Sequence, residues 1–268
     1  MSGHQQERVM PSSLFNLAGK TALVTGGNSG IGLGFAEGVA KHGANVCIWG
    51  TNSQKNAAAI DVLQAHGTKV HAIQCDVSNE AAVNAAFAET LEKFGRVDAC
   101  FANAGVGGGG PFAELTTDQW QRVLNVNLNG LFYTLRCAAK HMKERAERGD
   151  KGGRLIGTAS LGALMGMSRG EAYAGSKGAV ISIMQGLAVE FARYGVTANS
   201  VLPGHIATAM TEKNYANEKF HNAIMPRIPL RRWGDKADFE GIAVYLMSNA
   251  SAYHTGDSFL IDGGFFIF

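Results

Sequence analysis

Residues 20–32 read KTALVTGGNSGIG. A short apolar run stops at Thr25, and glycine then fills positions 26, 27, 30 and 32. An amphipathic pattern follows as far as His42. Strand, glycine-rich turn and helix is the order this predicts. Such a turn lets backbone approach a pyrophosphate, whose charge then sits at the helix N-terminus. The spacing is G-x-x-x-G-x-G, so by itself the stretch also suits an ordinary tight turn.

Working outward, the same alternation repeats. Apolar runs at 44–49, 69–75, 97–102, 154–159, 197–202 and 258–261 read as further strands, separated by helical patterns at about 53–65, 80–94, 117–148, 173–191 and 235–248. Seven strands alternating with helices imply an α/β fold, doubly wound, with a mainly parallel seven-stranded sheet and helices on both faces. The polar motifs fall at the carboxyl ends of strands, where open parallel sheets bind ligands. Residues 1–14 read as a flexible tail and 15–268 as one domain. Within it, residues 205–234 have weak periodicity and several breakers, which suits a mobile lid.

The chain has 268 residues, 46% of them hydrophobic and 17% charged, with a net charge of +2. That suits a globular domain with a sizeable core and argues against nucleic acid or an anionic membrane as the main partner. No apolar run approaches the ~20 residues of a membrane helix, and the first residues carry no secretory apolar region. Cys47, Cys75, Cys100 and Cys137 form no C-x-x-C pair, which reads as free thiols in a cytoplasmic protein. The eight histidines show no metal-ligand spacing, so no metal is expected.

The chemistry concentrates at residues 160–177, SLGALMGMSRGEAYAGSK. Ser160 follows an apolar strand, and Tyr173 and Lys177 stand four apart at the start of an apolar-periodic helix. On a helix that spacing shares a face. A phenol beside a cation and a hydroxyl can move a proton on and off an alcohol oxygen near neutral pH. A second Tyr-x-x-x-Lys, Tyr215 with Lys219, lacks the preceding strand and the following helix and reads as accidental.

In this order the motifs resemble those of the short-chain dehydrogenase/reductase family, over residues 15 to 264. They are TGGNSGIG at 25–32, Asp76, Asn103–Ala104–Gly105, Asn127, Ser160, Tyr173 with Lys177, and Pro203–Gly204 with Thr208. The resemblance implies a Rossmann-type fold and an NAD(P)-dependent oxidoreductase interconverting a secondary alcohol and a ketone. It makes Tyr173 the acid/base, Lys177 the residue that lowers the Tyr173 pKa, Ser160 the holder of the substrate carbonyl, and Asn127 the anchor of a water. Asn125 and Asn129 are neighbours that could take the Asn127 part.

The same resemblance implies cofactor contacts from Gly26, Asn28, Ser29, Gly30, Ile31 and Gly32 at the pyrophosphate, and from Asp76 and Val77 at adenine. Asn103, Ala104 and Gly105, together with Tyr173 and Lys177, would serve the ribose and nicotinamide. Pro203, Gly204, Ile206 and Thr208 would serve the carboxamide, Thr208 having a helix N-cap as its plainer role. Relatives that prefer NAD usually carry an acidic residue where this chain has Gly50. Those that prefer NADP usually carry arginine where it has Ser29 or Thr51. With neither present, Thr51, Asn52, Ser53 and Lys55 supply neutral donors and one ammonium, and the balance favours NADP with NAD as the alternative.

The implied partner is a small alcohol or ketone, and family members are most often homotetramers. The apolar residues among Leu161–Met167 suit a hydrophobic or aromatic ketone. A 3-oxoacyl-[acyl-carrier-protein] reductase is the alternative enzyme, resting on Arg227, Arg231 and Arg232 as a docking patch. A catalytically idle NAD(P)-binding sensor or scaffold is the alternative from another class.

Overall fold

A computed structural model describes residues 14–268, so the expected tail lies outside the described residues except for Leu14. Seven strands form one sheet in the order β3-β2-β1-β4-β5-β6-β7, every adjacent pair parallel. They are β1 (Thr21–Thr25), β2 (Asn45–Gly50), β3 (Val70–Gln74), β4 (Ala99–Ala102), β5 (Gly153–Thr158), β6 (Val196–Pro203) and β7 (Ser258–Ile261). The chain starts in the middle, at β1, winds outward to β3, then returns past β1 to build the other half. The reversal leaves a crevice at the carboxyl ends of β1 and β4.

Alternation along each strand sorts the core into two layers. Ala22, Val24, Val46, Ile48, Ala99 and Phe101 face one side. There they meet Phe35 of α1 (Gly30–Lys41), Leu63 of α2 (Ser53–Gln64), and the last helix, whose Ala243 and Met247 are buried. Leu23, Cys47, Trp49, Cys100 and Leu155 face the other side. They meet Phe87 of α3 (Glu80–Phe94), Leu135 and Met142 of the helix after β4, and Val180 and Met184 of the helix after β5. Each fully buried side chain of this size contributes roughly 1.5–3 kcal/mol. Cys47, Cys75, Cys100 and Cys137 are free, and burial pushes the Cys47 thiol up to about 12.

Two segments differ from the sequence expectation. The single helix read over 117–148 is α4 (Thr117–Leu124), a wider π-helical turn (Asn125–Asn129), and α5 (Gly130–Glu147). The stretch 205–234 is not a plain loop. After α6 (Glu171–Phe191) and β6, it holds two short helices, α7 (Glu212–Tyr215) and α8 (Glu218–Ile224). Its order comes from aromatic packing around the buried Trp233, whose ring centroid lies 5.4 Å from His205 and 5.3 Å from Tyr215. The final helix, α9 (Glu240–Met247), follows a 3-10 turn capped by Asp235.

Candidate active site

A cavity of about 500 Å³ opens along the carboxyl ends of the strands. The turn after β1 forms its floor. Gly26 and Gly30 take φ of +64° and +53°, a region that side chains disfavour, so this turn is open only to glycine or a strained substitute. Asn28, Ser29 and Ile31 also line the cavity, beside Gly26 and Gly30. Gly32 does not. It lies buried, and a Cβ there would collide with the Gly26 carbonyl oxygen. Its glycine serves the fit of α1 against the turn.

The remaining expected contacts assemble around the same space. Thr51 and Asn52 follow β2, Asp76 and Val77 follow β3, and Asn103, Ala104 and Gly105 follow β4. Pro203, Gly204, Ile206 and Thr208 close the far side. Asn52 caps α2, its Oδ1 accepting from the Lys55 amide at 2.9 Å. Thr208 caps no helix; α7 begins after Thr211, whose Oγ1 accepts from the Thr208 amide at 3.0 Å.

Ser160, Tyr173 and Lys177 line one wall together. Ser160 ends the strand run in an extended conformation, and its Oγ accepts from the Gly162 amide at 3.1 Å. Tyr173 and Lys177 lie on the first turns of α6, with the Lys177 Nζ 5.8 Å from the Tyr173 ring centroid. Lys177 is only 4% exposed, and its Nζ donates to the Thr158 carbonyl oxygen at 2.7 Å. Burial without a carboxylate partner pulls this ammonium down to about 8. Burial pushes the Tyr173 phenol up, and the neighbouring Ser160 hydroxyl pulls it part of the way back. The duplicate pair, Tyr215 and Lys219, falls on two separate short helices outside this cavity.

Asn127 sits on the π-helical turn and is 1% exposed, behind the wall rather than on it. Its Oδ1 accepts from the Val106 amide at 2.8 Å, and its Nδ2 donates to the Val106 carbonyl at 3.0 Å and to Ser176 Oγ at 3.2 Å. The side chain thus clamps the backbone after Gly105 against α6. Asn125 and Asn129 bond to each other at 2.9 Å.

Sequence reasoning passed over several contributors. Thr25 Oγ1 accepts from the amides of Asn103 and Ala104, both at 3.0 Å, and Thr158 Oγ1 donates to Asn103 Oδ1 at 3.2 Å. These bonds tie the ends of β1, β4 and β5. Only the position of both threonines at strand ends hinted at them. The arginines read as a docking patch have local partners. Arg232 pairs with Asp238 at 2.7 Å, Arg231 donates to the Pro226 carbonyl at 2.6 Å, and Arg227 lies over the Phe265 ring at 4.3 Å.

Known proteins are similar in sequence and fold over nearly the whole length. A family model described as enoyl-(acyl carrier protein) reductase matches residues 26–266. Gluconate 5-dehydrogenase of Gluconobacter oxydans is 33% identical over 251 residues, 94% of this chain and 96% of its own. A solved gluconate 5-dehydrogenase from Burkholderia cenocepacia, in complex with NADP and tartrate, superposes with a TM-score of 0.88 at 32% identity, covering 95% of this chain and 98% of its own. Levodione reductase superposes with a TM-score of 0.88 at 29% identity, covering 94% and 99%. This chain belongs to the short-chain dehydrogenase/reductase family.

Proposed function

We propose that the chain interconverts a secondary alcohol and a ketone with a nicotinamide dinucleotide, NADP in preference to NAD. The observation that carries the reading is the meeting of Ser160, Tyr173 and Lys177 on one wall of the cavity floored by the glycine turn. The cavity suits such a cofactor: the positive-φ glycines leave backbone bare at α1, and Lys55 with Thr51 and Asn52 stands at the far end. Solved relatives with bound NADP support the same choice. When bound, a nicotinamide supplies or takes up the hydride.

The side chains handle the proton. Tyr173 gives a proton to the substrate oxygen in reduction and takes it in oxidation. Ser160 holds that oxygen by a hydrogen bond and offsets the cost of phenol ionisation. Lys177, poised near 8, stands ready to stabilise the phenolate as it forms. Asn127 is a positioning residue for the 105–106 backbone and α6.

The substrate end is apolar. Met167 Sδ lies close to Gly162, beside Ser160 and Tyr173, and Val106 and Met210 line the cavity. We therefore favour an apolar ketone over the polyhydroxy acids named for several relatives. The 3-oxoacyl reductase alternative is weakened because its arginines are engaged locally. The idle-sensor alternative has no support in a wall that keeps all three polar groups.

We propose further that residues 15–268 work as one domain with 205–234 as its substrate lid. The free buried thiols support a cytoplasmic setting, and exposed Val189 and Phe132 on α6 and α5 support assembly into a homotetramer. Among the described residues no helix is long and apolar enough to cross a membrane. The deciding experiment follows absorbance at 340 nm with NADPH and NADH over a panel of aromatic, alicyclic and sugar-acid ketones. Turnover of the apolar ketones with NADPH is expected; no turnover with any ketone would remove the reading.

A further inference from the structure

Around residue 50, three side-chain positions interlock. Asn28 Nδ2 donates to Asn56 Oδ1 at 2.7 Å, and Asn56 Nδ2 donates to the Gly50 carbonyl at 3.0 Å. Ser29 Oγ donates to Asn28 Oδ1 at 3.4 Å. Asn56 is 5% exposed, on the second turn of α2, and its amide donates to the Asn52 carbonyl at 3.0 Å. The pair occupies the space beside Gly50. A Cβ at residue 50 would collide with Asn28 Nδ2 and would stand 2.6 Å from Asn56 Oδ1 and 2.7 Å from Asn28 Cγ. Relief requires moving an amide, and each amide is held by another.

The consequence is chemical. A carboxylate at the end of this strand would bind a ribose 2′-hydroxyl and repel a 2′-phosphate. Here no side chain fits unless the Asn28–Asn56 pair moves. The other groups at this end of the cavity are Ser29, Thr51, Asn52 and the exposed Lys55. Asp76, also on the cavity wall, turns its Oδ1 to the Ser78 amide and hydroxyl at 2.9 and 2.8 Å.

We propose that the Asn28–Asn56 pair is the cofactor selector of this chain. Asn56 is the positioning residue, Asn28 the group it holds, and residue 50 the position they keep bare. The site so formed accepts a 2′-phosphate beside Lys55 in place of a free 2′-hydroxyl. This rests on the nicotinamide-dinucleotide reading above, and it differs from the arginine-based solution because the selection is steric first and electrostatic second.

The test is binary binding of NADPH and of NADH to the full chain, read by cofactor fluorescence, with thermal melts alongside. Wild type should bind NADPH at least about tenfold tighter. Lys55→Met should cost NADPH about tenfold, the size of one charge-assisted contact, and leave NADH within about twofold. Gly50→Ala should weaken both cofactors by about tenfold or more in the wild-type chain, and by less than about twofold in an Asn28→Ala, Asn56→Ala background, each compared with its own parent. Gly50→Asp in that double-variant background should prefer NADH.

Three results overturn the proposal: wild-type preference for NADH, Gly50→Ala binding both cofactors as wild type does, or Gly50→Asp behaving alike with and without the amide pair. Should single Gly50 variants fail to fold, the Lys55→Met ratio and the multiple variants still decide. Binding of neither cofactor by the wild-type chain would instead overturn the functional reading itself.

Discussion

The two ends of the sheet treat charge in opposite ways. At the amino end, Asp98 is 9% exposed and surrounded by partners. Its carboxylate accepts from the Thr21 amide at 2.9 Å and from Arg96, and Arg145 lies 3.2 Å away. Arg145 in turn donates to Asp150 at 2.8 Å and to the Val97 carbonyl at 3.1 Å, while His141 Nε2 accepts from the Val97 amide at 3.2 Å. At the carboxyl end, Lys177 is more deeply buried, donates to a backbone carbonyl, and has no carboxylate partner among the described residues. Matched charge pins β1, β4 and the loop before β5. Unmatched charge is left on the crevice wall, where the proposed reaction needs a proton to move, at a cost in stability.

The sharpest way to break this contrast is to remove the phenolic oxygen. Tyr173→Phe should lower the ketone-reduction kcat by about 10²–10⁴-fold, the span usual for general acid–base groups, while cofactor affinity moves little. A variant reducing at the wild-type rate would mean that the carboxyl end has been misread.

At the amino end, Asp98→Asn should lower unfolding free energy by about 1.5–3 kcal/mol, because it weakens the charge-assisted bond from Thr21 and leaves Arg145 with Asp150 as its remaining counter-charge. Urea titration measures this. The kcat of the protein that remains folded should be unchanged, and a large fall in kcat would show that the two ends are coupled.

The third test compares the ends through pH. The folded pKa of Lys177, about 8, lies below its ordinary 10.5. The unfolded chain therefore binds more protons between those values, and stability rises with pH across that window. Below pH 8 the full cost of the buried ammonium is present; above 10.5 it is gone. Lys177→Met lacks this titration, so its stability relative to wild type should fall by on the order of 3 kcal/mol from pH 8 to 10.5. Parallel urea curves for the two proteins at both pH values would show Lys177 to be ordinarily solvated.

Much of this was legible in the chain because strands and polar motifs abut. Apolar runs such as 154–159 end in residues that line the crevice, so finding the strand finds the cavity wall. The wall of Ser160, Tyr173 and Lys177 follows from one strand and one helix. What could not be read depends on contacts between distant positions. Asn56 lies inside an ordinary helical pattern, and only proximity to Asn28, 28 residues away, gives it a part. Gly32 looks like a cavity residue in the motif, yet its neighbour is the Gly26 carbonyl. The 205–234 segment has little period because its order is set by rings converging on Trp233 from three separate stretches.

The wide turn at Asn125–Asn129 has a consequence for the geometry of the whole half-fold. Its closing amide, from Gly130, reaches back five residues to the Asn125 carbonyl. Such a turn amounts to one residue inserted into a regular helix. Deleting a residue there would restore a seamless spiral and leave α5 in phase, because the wide turn absorbs the extra residue; straightening the turn with every residue kept would spin everything downstream by about 100°. Leu131, Leu135 and Met142 would then swing off the sheet. With every residue kept, the rotational phase of α5 and the clamp on the crevice wall are thus set by one irregularity.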